Sequence, residues 1–287
     1  MIYIKDRGGS MDIRNKNLNI NYSMHNHTKR CGHAYGEDEE YVLNAIQEGF
    51  LHYGFSDHGM FLDMKKRDYG RDANLLEDYI NSVNNLKEKY KDKINIYLGF
   101  EIEYDKNHLD YYKELYNKYG FDYLICGQHF YIKNKKAHYY FNEYDDIEMI
   151  KKYKDDLIEA MKTGLFTYIA HPDLFFNRIT KITDEILAIC EEIVLASIKY
   201  DIPLEVNLGA MRYGNLMAQI NGTFPYPNHY FFEIAKKYNA KIVIGIDSHN
   251  PNDLVFKRDL DFAKNFIEKH ELNIINDFND SFIKNNK

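Results

Sequence analysis

Short β-rich segments alternate with helix-like segments along the chain. The β-rich segments cover residues 19–25, 52–57, 94–101, 121–129, 166–171, 202–208 and 241–247. Between them, apolar residues recur at the three-to-four spacing of amphipathic helices in residues 36–50, 73–91, 107–119, 145–163, 183–200, 228–239 and 251–269. Strict alternation of strands and helices predicts a parallel sheet with right-handed crossovers.

The polar residues distinguish between two architectures that fit this alternation. In an open doubly wound sheet, a site draws on two or three strands, whereas a β/α barrel draws on the C-terminal ends of nearly all strands. Almost every predicted strand here ends in His, Asp or Glu. We therefore predict an α/β fold, a single-domain distorted (β/α)7 TIM-like barrel over residues 18–287, preceded by a polar leader over residues 1–17.

Charge and composition limit the binding partners and the cellular compartment that we expect for this protein. Lys and Arg number 37 against 44 Asp and Glu, a net charge of -7, so no global basic field would gather nucleic acid or an anionic membrane. The N-terminus lacks a signal-peptide apolar region, and no run approaches the roughly 18 apolar residues of a membrane helix. Three cysteines without a close pair suit a reducing cytoplasm. We expect a soluble cytoplasmic protein, with homo-oligomerisation left open.

Residues that can bind metal ions concentrate at the predicted strand ends. His25 and His27 are two apart in an extended segment, so their imidazoles share a face and can reach one ion. The other candidates are His33, His58, Glu101, His129, His171, Asp247 and His249. Gathered imidazoles and carboxylates need hydrogen bonds or a cation when buried. The pattern predicts a multinuclear site for Zn, Fe or Mn, and the scattered cysteines argue against a thiolate zinc site.

The remaining histidines are expected in solvated or core positions. They are His52, His108, His138, His229 and His270. Of these, His229 follows the segment PYPN before the last predicted strand, which would place it near the barrel mouth if a helix begins there.

The order of these motifs resembles a known superfamily. HNH and His33, then SDH, GFE, GQH, AHP and DSH, are similar to the polymerase and histidinol phosphatase (PHP) superfamily over about residues 20–250. The resemblance implies a distorted seven-stranded β/α barrel holding three divalent transition-metal ions. The segments AHPDLFFNR and EVNLGAMRYG, followed by IGIDSH, are similar to its histidinol-phosphate phosphatase branch.

The resemblance also implies how the ligands divide among the ions. One ion would be held by His25, His27, Glu101 and Asp247. A second would be held by Glu101, His129 and His171, and a third by His33, His58 and His249. The residues at the predicted strand ends agree in number and type with the ligands of this superfamily. Their assignment to individual ions comes from the resemblance alone.

Clustered divalent ions favour hydrolysis of a phosphate ester, because they lower the pKa of a bound water and neutralise the leaving oxygen. The resemblance implies that the substrate is a small phosphate monoester, L-histidinol phosphate, attacked by metal-bridging hydroxide. Asp247 would orient the nucleophile or accept its proton, and a water or His249 would protonate the leaving alkoxide. Glu101 would bridge the first two ions.

Two arginines are candidates for binding the phosphoryl group, because planar guanidinium donors match its oxygens. Arg178 lies seven residues past His171, and Arg212 follows the sixth predicted strand. Glu103 and Asp173 would either pair with the substrate ammonium or orient the ligating histidines. No P-loop or dinucleotide fingerprint is present in the sequence, which argues against a nucleotide-triphosphate enzyme.

Two other functions fit the sequence less well. Another phosphoesterase, acting on a nucleotide, a nucleic acid, a sugar phosphate or phosphotyrosine, would use the same metal site. A nuclease should show a basic channel with interleaved aromatics. Residues 129–141 are the only candidate, and Asn and acidic neighbours balance their lysines. A non-catalytic metal-binding module should have lost ligands, and all nine positions are filled.

Overall fold

The computed structural model describes residues 20–212, 225–255, 257–277 and 283. The polar leader expected at residues 1–17 lies outside this range. The strands are β1 Tyr22–Ser23, β2 His52–His58, β3 Asn95–Ile102, β4 Tyr123–Cys126, β5 Phe130–Lys133, β6 Lys136–Tyr139, β7 Tyr168–Ile169, β8 Leu204–Asn207, β9 Lys241–Gly245 and β10 Asn273–Ile274. The helices are α1 Asp38–Gln47, α2 Lys66–Tyr69, α3 Leu76–Tyr90, α4 Leu109–Asn117, α5 Ile147–Thr163, α6 Asp184–Tyr200, α7 Gly209–Arg212, α8 His229–Lys237 and α9 Lys257–His270.

The main sheet is parallel and curls into a TIM-like half-barrel. Its strand order is β1-β2-β3-β4-β7-β8-β9-β10, and each neighbouring pair is parallel. The seven predicted strands all lie in this sheet, so the predicted α/β barrel architecture is confirmed. The short strand β10 and the antiparallel hairpin β5–β6 were not predicted. A two-residue strand carries no periodic signal, and the hairpin belongs to the loop after β4.

The first strand approaches both β9 and the chain that follows β10. Beyond the ends of β1 and β9, Asn26 and Ser248 form a parallel bridge, with His27 N–H donating to Ser248 O at 2.9 Å. At the opposite end, Tyr22 Oη donates to the carbonyl of Ile275 at 2.9 Å. The bridge brings the HNH segment beside the DSH segment, which are more than 200 residues apart in the chain.

Alternation along β3 shows how strands deliver polar residues to the barrel interior. Ile96, Leu98 and Phe100 pack outward against the helices, in the main hydrophobic cluster. Tyr97 belongs to a second, smaller cluster inside the barrel. Because successive side chains point to opposite faces, Glu101 lies on the same face as Tyr97, and its side chain is buried.

The side chain of Tyr123 fills the barrel interior below the strand ends. Tyr123 is fully buried, and its hydroxyl donates to the carbonyl of Met24 at 2.8 Å. An added Cβ at Gly54 or Gly99 would come within 2.4 Å of its side chain. Glycine in β2 and β3 therefore makes room for an aromatic ring that closes the barrel below the strand ends. In the described part of the chain, no helix is long and apolar enough to cross a membrane.

Candidate metal centre

Glu101, near the C-terminal end of β3, is the hub of the predicted ligands. Its side chain is 1% exposed. Its oxygens lie 2.7 to 3.5 Å from imidazole nitrogens of His25, His27, His58, His129 and His171. Residues from the ends of four other strands, or from the loops after them, therefore meet at the one carboxylate in β3.

Asp247 approaches the same cluster from the segment after β9. Its Oδ1 lies 3.1 Å from His27 Nε2, 3.6 Å from His25 Nε2 and 3.4 Å from His249 Nδ1. The backbone of Asp247 has φ of 54°, in the left-handed region that Asp tolerates better than most residues. This turn brings both Asp247 and His249 to the barrel mouth.

His33, His58 and His249 lie together beside His27. The His27 ring centroid is 4.1 Å from that of His249 and 4.4 Å from that of His58. The His33 ring is 4.7 Å from His249 and 5.2 Å from His58. All nine predicted ligands are therefore brought together, although their assignment to individual ions stays a prediction.

Charge within the cluster divides the histidines into two groups. Burial alone would lower the pKa of His25, but the carboxylates of Glu205, Asp247 and Glu101 outweigh it and raise that pKa well above its usual value. Similar contacts with Asp247 and Asp57 raise the pKa of His27 to about 9 despite its burial. Burial lowers the pKa of His249 to about 3, assisted by the charge of His27. Without a metal ion, the neighbouring carboxylates favour the protonated forms of His25 and His27, whereas burial favours the neutral form of His249.

The donor set fits bound metal ions. Several buried atoms have no hydrogen-bond partner among the described residues: His25 Nε2, both ring nitrogens of His27, His171 Nδ1, Asp247 Oδ1 and His249 Nε2. Leaving such groups unsatisfied costs free energy unless a cation takes the place of the hydrogen bond. Three-residue groups with metal-binding geometry include His25–His27–Asp247, His25–Glu101–His171 and His27–His58–His249.

Cys31 also lies near His33 and His249, but its thiol is a weak ligand. The side chain is buried, and burial together with the charge of Asp57 raises its pKa to about 12. The backbone N–H of Ala34 donates to Cys31 Sγ at 3.3 Å. Since the thiolate is the form that binds metal, the raised pKa disfavours Cys31 as a ligand.

Two carboxylates behind the ligands were missed by the sequence analysis. Glu205 in β8 is fully buried, and its Oε1 lies 2.7 Å from His25 Nδ1. Its Oε2 accepts from the backbone N–H of His171 at 2.9 Å. Asp57 lies 3.6 Å from His27 Nδ1. The signal for Glu205 was present, because it is the single charged residue in the apolar strand IPLEVNL.

Glu103 and Asp173 are both buried, and Glu103 lies beside the predicted ligand His129. Glu103 Oε1 lies 3.2 Å from His129 Nδ1, and its other oxygen accepts from the hydroxyl of Tyr69. Asp173 Oδ2 accepts from the backbone N–H of Asn228 at 2.6 Å, and burial raises the pKa of this carboxyl to about 8. Glu103 is placed to orient His129. Contact of either residue with a substrate ammonium stays a prediction.

The two predicted phosphate-binding arginines have different surroundings. The guanidinium of Arg178 lies 4.8 Å above the ring of Tyr144, at the end of the turn Leu174–Arg178 after β7. Arg212 donates to the backbone carbonyls of Ile246 and Asp247. It also pairs with the carboxylates of Asp253 and Asp259 at 3.6 and 3.2 Å. A phosphate contact of Arg212 stays a prediction, and its contacts here support the Asp247 segment.

His229 lies at the first residue of α8, as the PYPN segment suggested. Its Nδ1 is 3.3 Å from His270 Nε2, and His270 Nδ1 is 2.6 Å from Glu233. It has no described contact with the nine gathered residues.

Comparison with known proteins identifies the family. The family model of the PHP domain matches residues 23–208. This is more than half of the chain, so the chain belongs to the PHP domain family, and the resemblance seen in its motifs is confirmed.

Two curated relatives and one solved structure are similar to this chain over most of its length. A Schizosaccharomyces pombe protein named "Probable histidinol-phosphatase" is 25% identical over 274 residues, which is 86% of this chain and 86% of the relative. A Deinococcus radiodurans protein of the same name is 24% identical over 242 residues, which is 81% of this chain and 88% of that protein. The histidinol phosphate phosphatase from Lactococcus lactis, solved with zinc, L-histidinol and phosphate, has a TM-score of 0.65 at 20% identity. That match covers 89% of this chain and 95% of the other, and it shows the shared fold.

Proposed function

We propose that this chain is a metal-dependent phosphomonoesterase that hydrolyses L-histidinol phosphate to L-histidinol and phosphate. The observation that carries the proposal is the set of buried imidazole and carboxylate atoms without hydrogen-bond partners around Glu101 and Asp247. The two curated relatives, both named as probable histidinol-phosphatases, support the choice of ester.

The nine gathered residues would hold three divalent transition-metal ions in the grouping implied by the family. Zinc is supported by the L. lactis structure, and imidazole with carboxylate also suits Fe and Mn. Bound there, such ions would supply an activated water and would neutralise charge on the phosphoryl oxygens. Glu101, which touches five imidazoles, would bridge the first two ions.

The chain's own residues would then orient the reactants. Asp247, whose side chain is 14% exposed, would orient the attacking water or accept its proton. The lowered pKa of His249 favours a neutral ligand over a proton donor, so a water is the better candidate for protonating the leaving alkoxide. Arg178 is proposed to bind the phosphoryl group, since no described carboxylate lies within ion-pair distance of it.

A phosphate-release screen tests the proposal. The metal-replete protein is assayed against histidinol phosphate, sugar phosphates, nucleotides and phosphotyrosine, with Glu101→Ala as the inactive control. We expect the highest kcat/KM on histidinol phosphate, and loss of metal and activity together in the control. A higher kcat/KM on any other ester would assign a different phosphatase activity, and no release from any ester would favour a binding module.

A further inference from the structure

Arg71 lies at the edge of the candidate metal centre, in the segment between α2 and α3. Its Nη1 is 3.4 Å from the carbonyl oxygen of Cys31. The same oxygen lies 3.2 Å from Nδ1 of His33. The guanidinium and the His33 ring therefore share one acceptor. The His33 ring centroid is in turn 5.2 Å from that of His58.

The charge of Arg71 is not balanced by any described carboxylate. Among the described residues, no Asp or Glu lies within ion-pair distance of its guanidinium, and the side chain is half-buried. Two other arginines near the centre differ in this respect. Arg30 pairs with Asp38 and Asp78 at 2.7 Å each. Arg212 pairs with Asp253 and Asp259.

An unbalanced guanidinium beside metal ligands favours a bound anion. Like charges at short range in a partly buried site repel strongly, so Arg71 and cations held by His33 and His58 would destabilise one another. An anion between them removes this repulsion. A phosphoryl dianion does so with oxygens that match the planar donors of Arg.

The backbone on both sides of Arg71 is fixed. On one side, the hydroxyl of the buried Tyr69 donates a hydrogen bond to Glu103. Gly70, with φ of 84°, ends α2, and its N–H donates to Lys66 O at 2.6 Å. On the other side, the Asp72 side chain accepts from the N–H of Asn74 at 3.2 Å. Little backbone freedom is then left to lose when the guanidinium meets a ligand.

We propose that Arg71 binds the phosphoryl group of the substrate, and the phosphate product, from the side of His33 and His58. Arg71 lies in the segment that follows β2, and Arg178 follows β7, which is three strands further along the sheet. The two guanidiniums would therefore approach the phosphoryl group from different sides. This assignment rests on the proposed phosphomonoesterase function and adds a phosphate-binding residue that the sequence motifs did not indicate.

Substitution of Arg71 tests the assignment with metal content as a separate readout. In the metal-replete enzyme, Arg71→Ala should lower kcat/KM by about 30- to 1000-fold. It should also raise the inhibition constant of inorganic phosphate at least about tenfold, the effect of one lost charged contact. Metal content should stay unchanged. Arg71→Lys should recover part of both effects, since it keeps the charge without the planar donors.

Arg67 provides the matched control. It lies four residues earlier in α2, its side chain is 77% exposed, and it approaches Asp68 at 3.6 Å. Arg67→Ala should retain wild-type kcat/KM and phosphate inhibition. Unchanged kcat/KM and phosphate inhibition in Arg71→Ala would overturn the assignment. Loss of bound metal in that variant would also overturn it, because Arg71 would then support the His33 segment.

A second measurement separates this inference from the proposed function. Inorganic phosphate should raise the melting temperature of the metal-loaded wild type and of Arg67→Ala, but much less that of Arg71→Ala. If the wild type fails to hydrolyse histidinol phosphate, the proposed substrate is wrong, yet this comparison still decides whether Arg71 binds phosphate. Equal shifts in all three proteins would contradict a role for Arg71.

Discussion

At the residue scale, the ligating histidines are oriented by carboxylates on their far side. Glu205 is bonded to His25 Nδ1, which directs Nε2 of that ring towards Glu101 and Asp247. Glu103 does the same for His129. A carboxylate behind an imidazole fixes its tautomer and orientation and makes it a stronger metal ligand. The buried charges of the interior therefore serve the site as well as the fold.

Glu205→Gln is expected to weaken metal binding by about 10- to 100-fold, because the neutral amide holds the His25 ring less firmly. Metal content after dialysis against a graded chelator measures the change. Glu192→Gln is the control, since Glu192 is 54% exposed on α6 and pairs with Lys154. Equal metal retention in both variants would show that Glu205 does not position His25.

Arg178→Ala is expected to lower kcat/KM by about 30- to 1000-fold and to leave metal content intact, since the lost contact strengthens in the transition state. Steady-state kinetics and elemental analysis test both parts. Wild-type kcat/KM in this variant would show that the phosphoryl group is bound elsewhere.

Arg212→Ala is expected to behave differently from Arg178→Ala. It removes the guanidinium that pairs with the carboxylates of Asp253 and Asp259 and donates to the Asp247 carbonyl, so it should destabilise the fold by about 3 kcal/mol. Chemical denaturation measures the loss. A fully stable Arg212→Ala protein with impaired phosphate binding would instead support the phosphate contact expected from the sequence.

At the element scale, glycines in the strands allow carboxylates to fill the barrel interior. An added Cβ at Gly245 in β9 would lie 1.7 Å from Glu205 Oε1, and one at Gly127 just after β4 would lie 2.0 Å from Glu101 Oε1. No side chain fits at these distances without moving the carboxylate. In each case, one strand carries a carboxylate of the site, and a glycine in or just after the neighbouring strand leaves space for that carboxylate.

Gly245→Ala and Gly127→Ala should each destabilise the protein by about 1–3 kcal/mol and reduce bound metal, because overpacking displaces Glu205 or Glu101. Thermal melting and elemental analysis report the two effects. Gly49→Ala is the control: its φ of 83° makes alanine strained, but nothing lies within 4 Å of the added Cβ. That variant should lose stability and keep its metal. Full metal content in Gly245→Ala would contradict the coupling between strands.

At the scale of the whole molecule, the metal centre joins the two ends of the sheet. Ligands come from β1, from the middle strands and from the segment after β9, and the Asn26–Ser248 bridge lies among them. A multinuclear ion cluster bound at this position would link segments that are distant along the chain. Metal binding to the folded state alone should therefore stabilise the barrel.

Chelation is expected to lower the melting temperature, by an amount equivalent to about 2.7 kcal/mol per site for an ion present at 100 times its Kd. The effect should grow between pH 6 and pH 9. The raised pKa values of His25 and His27 mean that metal uptake must release protons in this range, so binding tightens as pH rises. Melting curves with and without chelator at several pH values test this. A chelator effect that is constant or decreases with pH would contradict it.

The sequence by itself determined the seven alternating strands and the gathering of the nine polar residues at their ends. It could do so because strand and helix periods are local, and because parallel strands place their C-terminal ends at one side of the sheet. Only the tertiary structure decided the supporting contacts. Glu205 behind His25, Arg212 beneath Asp247 and the unbalanced charge of Arg71 depend on distances between segments far apart in the chain. No spacing along one chain reports which side chain lies behind another, because packing selects partners in three dimensions.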